Sequence, residues 1–464
     1  MNIILLSGGS GKRLWPLSND IRSKQFIKIF KNEDDSYESM VQRMYSRIRK
    51  LDSEANVTIA TSKQQISALH NQLGEDVDIS LEPCRRDTFP AIALAAAYMV
   101  YEKNIAPTEP VVICPVDPFV ENDYFESLQY LFAKVEGSGA NLLLMGIEPT
   151  YPSEKYGYIM PRANSECDGI ATDGVESVAT GGNGDSRLIL TVDSFKEKPT
   201  KEVAAEYIKQ GALWNAGVFA CRLEYILAKA HELIEFTDYR DLFAQYASLP
   251  KISFDYAVVE KEKNIKMVKF SGIWKDLGTW NTLTEAMDEN VIGKGTLGDE
   301  CENVHIINET NLPILAMGMH DVVISASPEG ILVTDKDQSS YIKPYVDAID
   351  QQIMFAEKSW GSFSVIDVEK ASLTIKVTLN PGHSMNYHSH NNRDEVWVVV
   401  AGEGTTIVDG MAQKVKAGDV ISMCAGCRHT IIAKTELKLI EVQLGNDISV
   451  NDKQKYELEY SDNI

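Results

Sequence analysis

The sequence predicts a three-part chain: a large α/β domain over residues 1–285, a small β-rich segment over 286–345, and a linker with a terminal β-barrel over 346–464. Three observations carry this division. Up to about residue 285, apolar strand-like runs alternate with helical stretches, as a parallel sheet flanked by helices requires. Between 286 and 345 the texture changes to short β-rich pieces (VHIINE, LPILAMG, DVVISASPEGILVTD) broken by Gly, Asn and Asp, which read as a small β domain or a few solenoid-like coils. From Gly361 on, short strands recur between the turn signals NPGH, VAGEG, VDGM and KAGD, the pattern of a compact barrel or sandwich.

In chain order, NIILLS, VTIAT, PVVICPVD and NLLLMGI are the strands of the first domain. The run AIALAAAYMVYEK after Pro90 is a strong helix, with Thr88 as its expected cap and proline near its first turn. Ligands of such sheets gather at the carboxyl ends of strands. Gly8, Asp117 and Gly157 all follow apolar runs at such ends, so one site is expected to hold all three. VDAIDQQIMFAEKSW is expected to form a helical linker into the barrel.

With 464 residues the chain can bury large cores, and its 44% hydrophobic and 24% charged content is ordinary for a globular protein. No run has the length of a membrane helix or the layout of a signal peptide, so a cytoplasmic protein is expected. A formal charge of −22 argues against general nucleic-acid binding, which needs a surplus of Lys and Arg. It leaves room for small phosphorylated substrates, met by divalent metals and by the local basic cluster Lys12, Arg13, Arg22 and Lys24. Seven cysteines, an odd number, fit a reducing compartment. Cys424-Ala-Gly-Cys427 has the spacing of redox and zinc sites, but no second such pair exists and a strand-end turn is the expected reading.

SGGSGKRL, at the end of the first strand, is built to hold a phosphate on bare backbone amides, yet neither common pattern fits. A P-loop needs glycine where Leu6 stands, and a dinucleotide fingerprint from Gly9 needs it at Leu14. Residues 7–18, SGGSGKRLWPLS, followed by KQF at 24–26, instead resemble the sugar nucleotidyltransferases, and more narrowly the mannose-1-phosphate guanylyltransferases. The resemblance continues through EPCRRDTFPAI, PVDPFV, GIEPTYPSEKYGYI, FKEKP, LWNAGVF, FDYAVVE and WKDLGTW, covering about the first 285 residues.

This resemblance implies a Rossmann-like, GT-A-like nucleotidyltransferase domain, GTP and mannose 1-phosphate as substrates, and GDP-mannose as product. It places the triphosphate on Gly8, Gly9, Gly11, Lys12 and Arg13, with Arg13 stabilising the departing pyrophosphate and Lys24 touching the reacting phosphates. Asp117 and Asp276 match the carboxylates that hold Mg²⁺ in the family, a hard cation suited to paired oxygens. Base and ribose fall near Glu82, Arg86 and Thr88; the sugar phosphate falls near Gly157, Glu197, Lys198 and Asn215. Without the surrounding motif, Glu197-Lys198 would read as an exposed ion pair. Two positions depart from the family: Pro118 replaces a usual His, and Asp87 replaces a usual Asn, adding a carboxylate near the base.

In the last domain Gly382, His388, His390, Glu395 and Gly402 match the first cupin motif, and Gly418, Gly426 and His429 the second. An HxH pair puts two imidazoles on one strand face, and Glu395 and His429 complete a four-ligand site for Zn²⁺ or a similar divalent transition metal. His383, outside the motif, reads as a loop residue. A guanylyltransferase joined to a cupin resembles the bifunctional mannose-1-phosphate guanylyltransferase/mannose-6-phosphate isomerase proteins of bacterial polysaccharide synthesis, whose C-terminal half is a left-handed β-helix-like segment and a cupin. The isomerase motif QxHHHRAEHW is altered here, with His388 at its glutamine and Asn391, Asn392 and Val396 at three histidines. Isomerase activity and a structural or differently specific cupin both stand. So do a different NTP and sugar 1-phosphate pair, and a non-catalytic sugar-nucleotide sensor. Open β-edges leave room for a homodimer.

Overall fold

A computed structural model describes residues 1–457 except Ser10, Asp20, Glu33, 163–188, Gln351 and Asp447. The chain forms two compact units. The first contains residues 1–9, 38–63 and 77–277, and the second contains 10–37, 64–76 and 278–464.

The first unit is built on one nine-stranded sheet. Its strands are β1 (Asn2–Leu6), β2 (Asn56–Ser62), β3 (Asp78–Glu82), β4 (Pro110–Pro115), β6 (Leu142–Ile147), β7 (Tyr158–Pro161), β8 (Ile189–Lys196), β9 (Leu213–Arg222) and β10 (Ile265–Phe270), in the order β3-β2-β1-β4-β9-β6-β10-β8-β7. A short ribbon of β5 (Pro118–Val120) and β11 (Trp274–Asp276) stands beside it. The four expected runs are strands, and β3, β2, β1 and β4 are parallel. The sheet as a whole is mixed, not parallel, because β9 inserts antiparallel between β4 and β6. Both neighbours and both faces then demand apolar residues, which Val218, Phe219, Ala220 and Cys221 supply.

The expected helix spans Thr88–Ala97 and continues as a wider turn over Tyr98–Glu102. From Phe89 to Ala97 every residue is buried, so small alanines suit a helix packed on all sides. Its cap is Asp87, not Thr88: the Asp87 carboxylate accepts from the Thr88 amide at 2.8 Å, with Asp87 at φ 72°. Asp87 combines this positive φ with an extended ψ of −174° while its carboxylate caps the helix.

In the second unit, short strands β12 (Val291–Gly293), β14 (His305–Asn308) and β16 (Val322–Ser327) pair in parallel, as do β13 (Gly295–Leu297) and β15 (Ile314–Ala316). Parallel stacking of successive short strands is the arrangement of solenoid-like coils. β17 (Gly330–Asp335) closes one edge antiparallel to β16. The helical linker does not form: a short helix ends at Asp347, and Phe355–Lys358 is a strand, β18, paired with β19 (Gly361–Val368). Pairing wins because Ala356 is fully buried there and the amides of Met354 and Phe355 donate to the Glu329 carboxylate.

The terminal barrel consists of a six-stranded and a five-stranded sheet. To β18 and β19 the first adds β20 (Ser372–Leu379), β22 (Asp394–Ala401), β25 (Val420–Met423) and β27 (Leu437–Leu444). The second contains β21 (His388–His390), β23 (Glu403–Val408), β24 (Met411–Lys416), β26 (His429–Ala433) and β28 (Lys453–Lys455). The turn glycines Gly382, Gly402, Gly410 and Gly418 all have positive φ, as tight strand connections require. Trp397 is fully buried in the barrel core with Val399, Ile431 and Leu439.

Candidate active site and metal centre

In the first unit, β4 delivers its chain to Asp117, and the residues that follow turn into β5. Antiparallel pairing of β5 with β11 sets Asp276 opposite Pro118, so the two carboxylate-bearing positions meet at one end of the ribbon. Pro118, at the family's usual His, is thus a ribbon residue. Asp117 and Asp276 line a cavity of about 250 Å³ together with Gly157, Glu197, Asn215 and Asp255. The expected grouping of Asp117 with Gly157 is therefore observed. Gly8 follows β1, the parallel neighbour of β4, and so stands at the same sheet edge as Asp117. It is not among the residues lining the cavity.

Close packing selects several of these residue types. A Cβ at Gly157 would lie 2.5 Å from Oε2 of Glu197 and 2.6 Å from Cζ of Phe195, so only glycine lets the Glu197 carboxylate approach. Asn215 sits where the register of β9 slips against β6. Its Nδ2 donates to Asp255 Oδ1 at 2.7 Å, its backbone amide to the Gly157 carbonyl at 2.8 Å, and its Oδ1 accepts from the Gly217 amide at 3.1 Å. Lys198, at φ 45°, pairs with Glu197 and keeps its side chain 57% exposed. The plain ion pair is thus present, and the bond to Glu197 raises the Lys198 pKa.

Asp255 lies in the FDYAVVE stretch of the resemblance, but the sequence reading assigns it no role. Burial, with Glu197 as a second negative charge, pushes its carboxyl up to about 6. Its contact with Asn215 and its place in the cavity lining bring it into the site. Tyr156 is a second residue that sequence reasoning misses. It packs on Trp214 (ring centroids 4.9 Å) and Trp274 (5.6 Å), and burial with Asp276 nearby holds its phenol neutral.

At the same sheet edge, the Glu82 carboxylate is buried and accepts from Tyr246 Oη at 2.8 Å; burial raises its pKa. A Cβ at Gly8 would stand 4.0 Å from Glu82 Oε1, so the glycine turn faces this carboxylate. The Arg86 guanidinium donates to the Ala247 carbonyl, and Thr88 Oγ1 accepts from the Phe254 amide at 2.9 Å. Gly9, at φ 156°, has open space where a side chain would be. Gly11, Lys12, Arg13 and Lys24 belong to the second unit. There Gly11 precedes a single turn, Lys12–Leu14, whose Arg13 is exposed; Lys12 lies 3.8 Å from Asp347, and Lys24 opens the turn Lys24–Phe26.

In the barrel, His388, His390, Glu395 and His429 are all buried, with ligand-type atoms within 4.8 Å of one another. Alternation along β21 turns His388 and His390 to one face, and His388 is directly opposite His429 of β26. Nδ1 of His388 contacts the Asn386 carbonyl (2.6 Å) and Nδ1 of His429 the Cys427 carbonyl (3.0 Å), contacts that leave each Nε2 to ligate. Burial, then Lys453 nearby, pushes His388 down to about 3, keeping it in the neutral form a ligand needs. Burial opposes ionisation of Glu395, but His390 and His429, each 3.1 Å away, outweigh it and hold its carboxyl well below the usual range.

His390 Nδ1, Glu395 Oε2 and His429 Nε2 are buried without a well-directed hydrogen bond, the condition that a cation bound among them relieves. The donor set fits a divalent metal. Arg393, at the arginine of the QxHHHRAEHW motif, donates to Glu395 Oε1 at 3.2 Å and to the Ser449 carbonyl at 2.9 Å. Cys424 and Cys427 are free thiols in a hydrogen-bonded turn after β25, and His383 lies in a loop.

Residues 2–291 match the nucleotidyl transferase family model. The chain belongs to the nucleotidyl transferase family. Residues 348–458 of this nucleotidyltransferase match the model of the mannose-6-phosphate isomerase C-terminal domain. A mannose-1-phosphate guanylyltransferase of Salmonella montevideo is 28% identical over 99% of both chains. An alginate biosynthesis protein of Pseudomonas putida is 27% identical over 98% of this chain and 95% of its own. Among solved structures, one described as a mannose-1-phosphate geranyltransferase of Thermus thermophilus is 25% identical, with a TM-score of 0.58, covering 75% of this chain and 98% of that one.

The barrel cluster generates a direct expectation. The purified nucleotidyltransferase should carry about one equivalent of a divalent transition metal by elemental analysis, and the His388→Ala/His390→Ala variant should carry almost none. A folded wild type that takes up no metal on titration would contradict the assignment.

Proposed function

We propose that this nucleotidyltransferase moves GMP from GTP to α-D-mannose 1-phosphate, giving GDP-mannose and pyrophosphate. One observation carries the reading: Asp117 and Asp276 meet across the β5–β11 ribbon on a cavity that also presents Gly157, Glu197, Asn215 and Asp255. The guanylyltransferase relative that spans the whole chain supports the choice of substrates.

In this reading, amides at Gly8, Gly9 and Gly11 and the cations Lys12 and Arg13 hold the triphosphate, and Lys24 meets the reacting phosphates. Glu82, Arg86 and Thr88 face base and ribose. Gly157, Glu197, Lys198 and Asn215 orient the sugar phosphate, with Asp255 holding the Asn215 amide. Asp117 and Asp276 would hold Mg²⁺, which would supply charge neutralisation. A phosphate oxygen of mannose 1-phosphate forms the new bond to the α-phosphorus as the α–β bridging bond breaks, and both electrons of that bond leave with pyrophosphate. The protein's work is alignment and charge stabilisation, since no covalent intermediate is needed. Domains of 1–285, 286–345 and 346–464 belong to the same reading, and free thiols at Cys84, Cys114 and Cys221 support a cytoplasmic setting.

For the barrel we propose a Zn²⁺-like ion on His388, His390, Glu395 and His429. The isomerase-domain match favours mannose 6-phosphate as its ligand.

Asp117→Asn, Asp276→Asn and Arg13→Ala should each lower pyrophosphate release from GTP and mannose 1-phosphate by about 100-fold or more while the melting curve stays in place. Near-normal rates in folded variants would overturn the residue roles. Independently, the metal-loaded protein should interconvert mannose 6-phosphate and fructose 6-phosphate. A loaded but inert protein would leave the barrel a structural or differently specific cupin.

A further inference from the structure

The segment that carries Arg13 and Lys24 lies early in the chain, yet its packing partners within the second unit come from far later. Ser327 Oγ donates to the Pro16 carbonyl at 2.7 Å, and the Trp280 indole donates to the Trp15 carbonyl at 3.2 Å. A Cβ at Gly330, the first residue of β17, would lie 2.5 Å from Trp15 Cζ2, so the coil backbone lies against the Trp15 ring.

The turn that Asn19 makes with Ile21 and Arg22 is held more firmly still. Asn19 Oδ1 accepts from the amides of Ile21 (2.8 Å) and Arg22 (2.6 Å), shaping the turn, while its Nδ2 donates to Glu329 at 2.8 Å and to the Phe355 carbonyl at 3.1 Å. The same Glu329 oxygen accepts from the amides of Met354 and Phe355, so one buried carboxylate ties the turn to the start of β18. Arg22, whose side chain is only 8% exposed, makes a two-pronged pair with Glu309 at 2.8 Å for each contact and lies 5.1 Å from the centre of the Phe355 ring. A planar fork on a carboxylate fixes direction as well as distance.

By sequence Arg22 is one more cation of a phosphate-binding cluster. In the structure its charge is instead engaged by Glu309. We infer that Glu309 and Glu329 are positioning residues for nucleotidyl transfer: they clamp the 11–26 segment from the coil region and thereby set Arg13 and Lys24 for the nucleotide. This rests on the roles proposed for Arg13 and Lys24. Its consequence is that transfer chemistry depends on carboxylates beyond residue 285, outside the stretch that carries every transferase motif. Misplacing reacting groups by about 1 Å costs on the order of 100-fold in rate, so loss of the clamp has a measurable effect.

The test uses the full-length protein with Glu309→Ala, Glu329→Ala, Arg22→Lys and Glu329→Gln. The first three should lower kcat/KM for GTP at least about tenfold at saturating mannose 1-phosphate, with KM for mannose 1-phosphate unchanged. Glu329→Gln keeps an acceptor oxygen and should restore most of the rate. Hydrogen exchange should quicken at residues 11–26 while the strands of the first unit keep their protection.

Wild-type kcat/KM in folded Glu309→Ala and Glu329→Ala would overturn the inference. Equal damage to both substrates, with faster exchange everywhere, would also overturn it, marking general destabilisation. Should either alanine variant fail to fold, Arg22→Lys, which keeps the charge but loses the fork, decides in the same way. If the wild type itself releases no pyrophosphate with any nucleotide, the functional reading fails, and the exchange experiment still decides whether the clamp exists.

Discussion

The pairing of β5 with β11 is the contact on which the candidate active site depends. Each strand is three residues long, too short to persist alone, and both flank the main sheet without joining it. Their pairing places Asp276 at the end of the ribbon next to Asp117, although the two lie far apart in the chain. It also fixes where Trp274 stands, against the ring of Tyr156, and so shapes one wall of the cavity. Four carboxyl groups line that cavity: Asp117, Glu197, Asp255 and Asp276. Such crowding of like charge opposes folding unless cations answer it. Burial and the neighbouring Glu197 push the Asp255 carboxyl up to about 6, Lys198 pairs with Glu197, and the remaining negative charge suits a divalent ion.

The barrel gathers three imidazoles around a single carboxylate. Backbone carbonyls of Asn386 and Cys427 fix the rings of His388 and His429, and Nε of Arg393 donates to one oxygen of Glu395. Three imidazoles and one carboxylate converge from β21, β22 and β26, so the site is distributed over both sheets of the barrel. The cluster is complete without Asn391, Asn392 and Val396, which stand where the isomerase motif has histidines.

Much of this is legible in the sequence because local rules govern it. Apolar runs mark the strands, HxH alternation puts His388 and His390 on one face, and glycines at turns mark the barrel connections. What escapes is decided by tertiary contact. LWNAGVFACR carries no sign that it will insert antiparallel between two strands and make the sheet mixed. VDAIDQQIMFAEKSW has helical composition, yet Glu329 collects the amides of Met354 and Phe355 and Ala356 is buried in a strand. Asp87 adds a carboxylate near the expected base and also caps the helix that begins at Thr88, while Asp255, given no role in the sequence reading, lines the cavity. For LWNAGVFACR and VDAIDQQIMFAEKSW the outcome is decided by partners distant in sequence.

The most direct test of the account is pyrophosphate release with mannose 1-phosphate and Mg²⁺, run in parallel with GTP, ATP, CTP and UTP, with the sugar nucleotide identified by mass. The account predicts a strong preference for GTP and GDP-mannose as the product. Equal or better turnover with another nucleotide, or no pyrophosphate from any of the four, would contradict it.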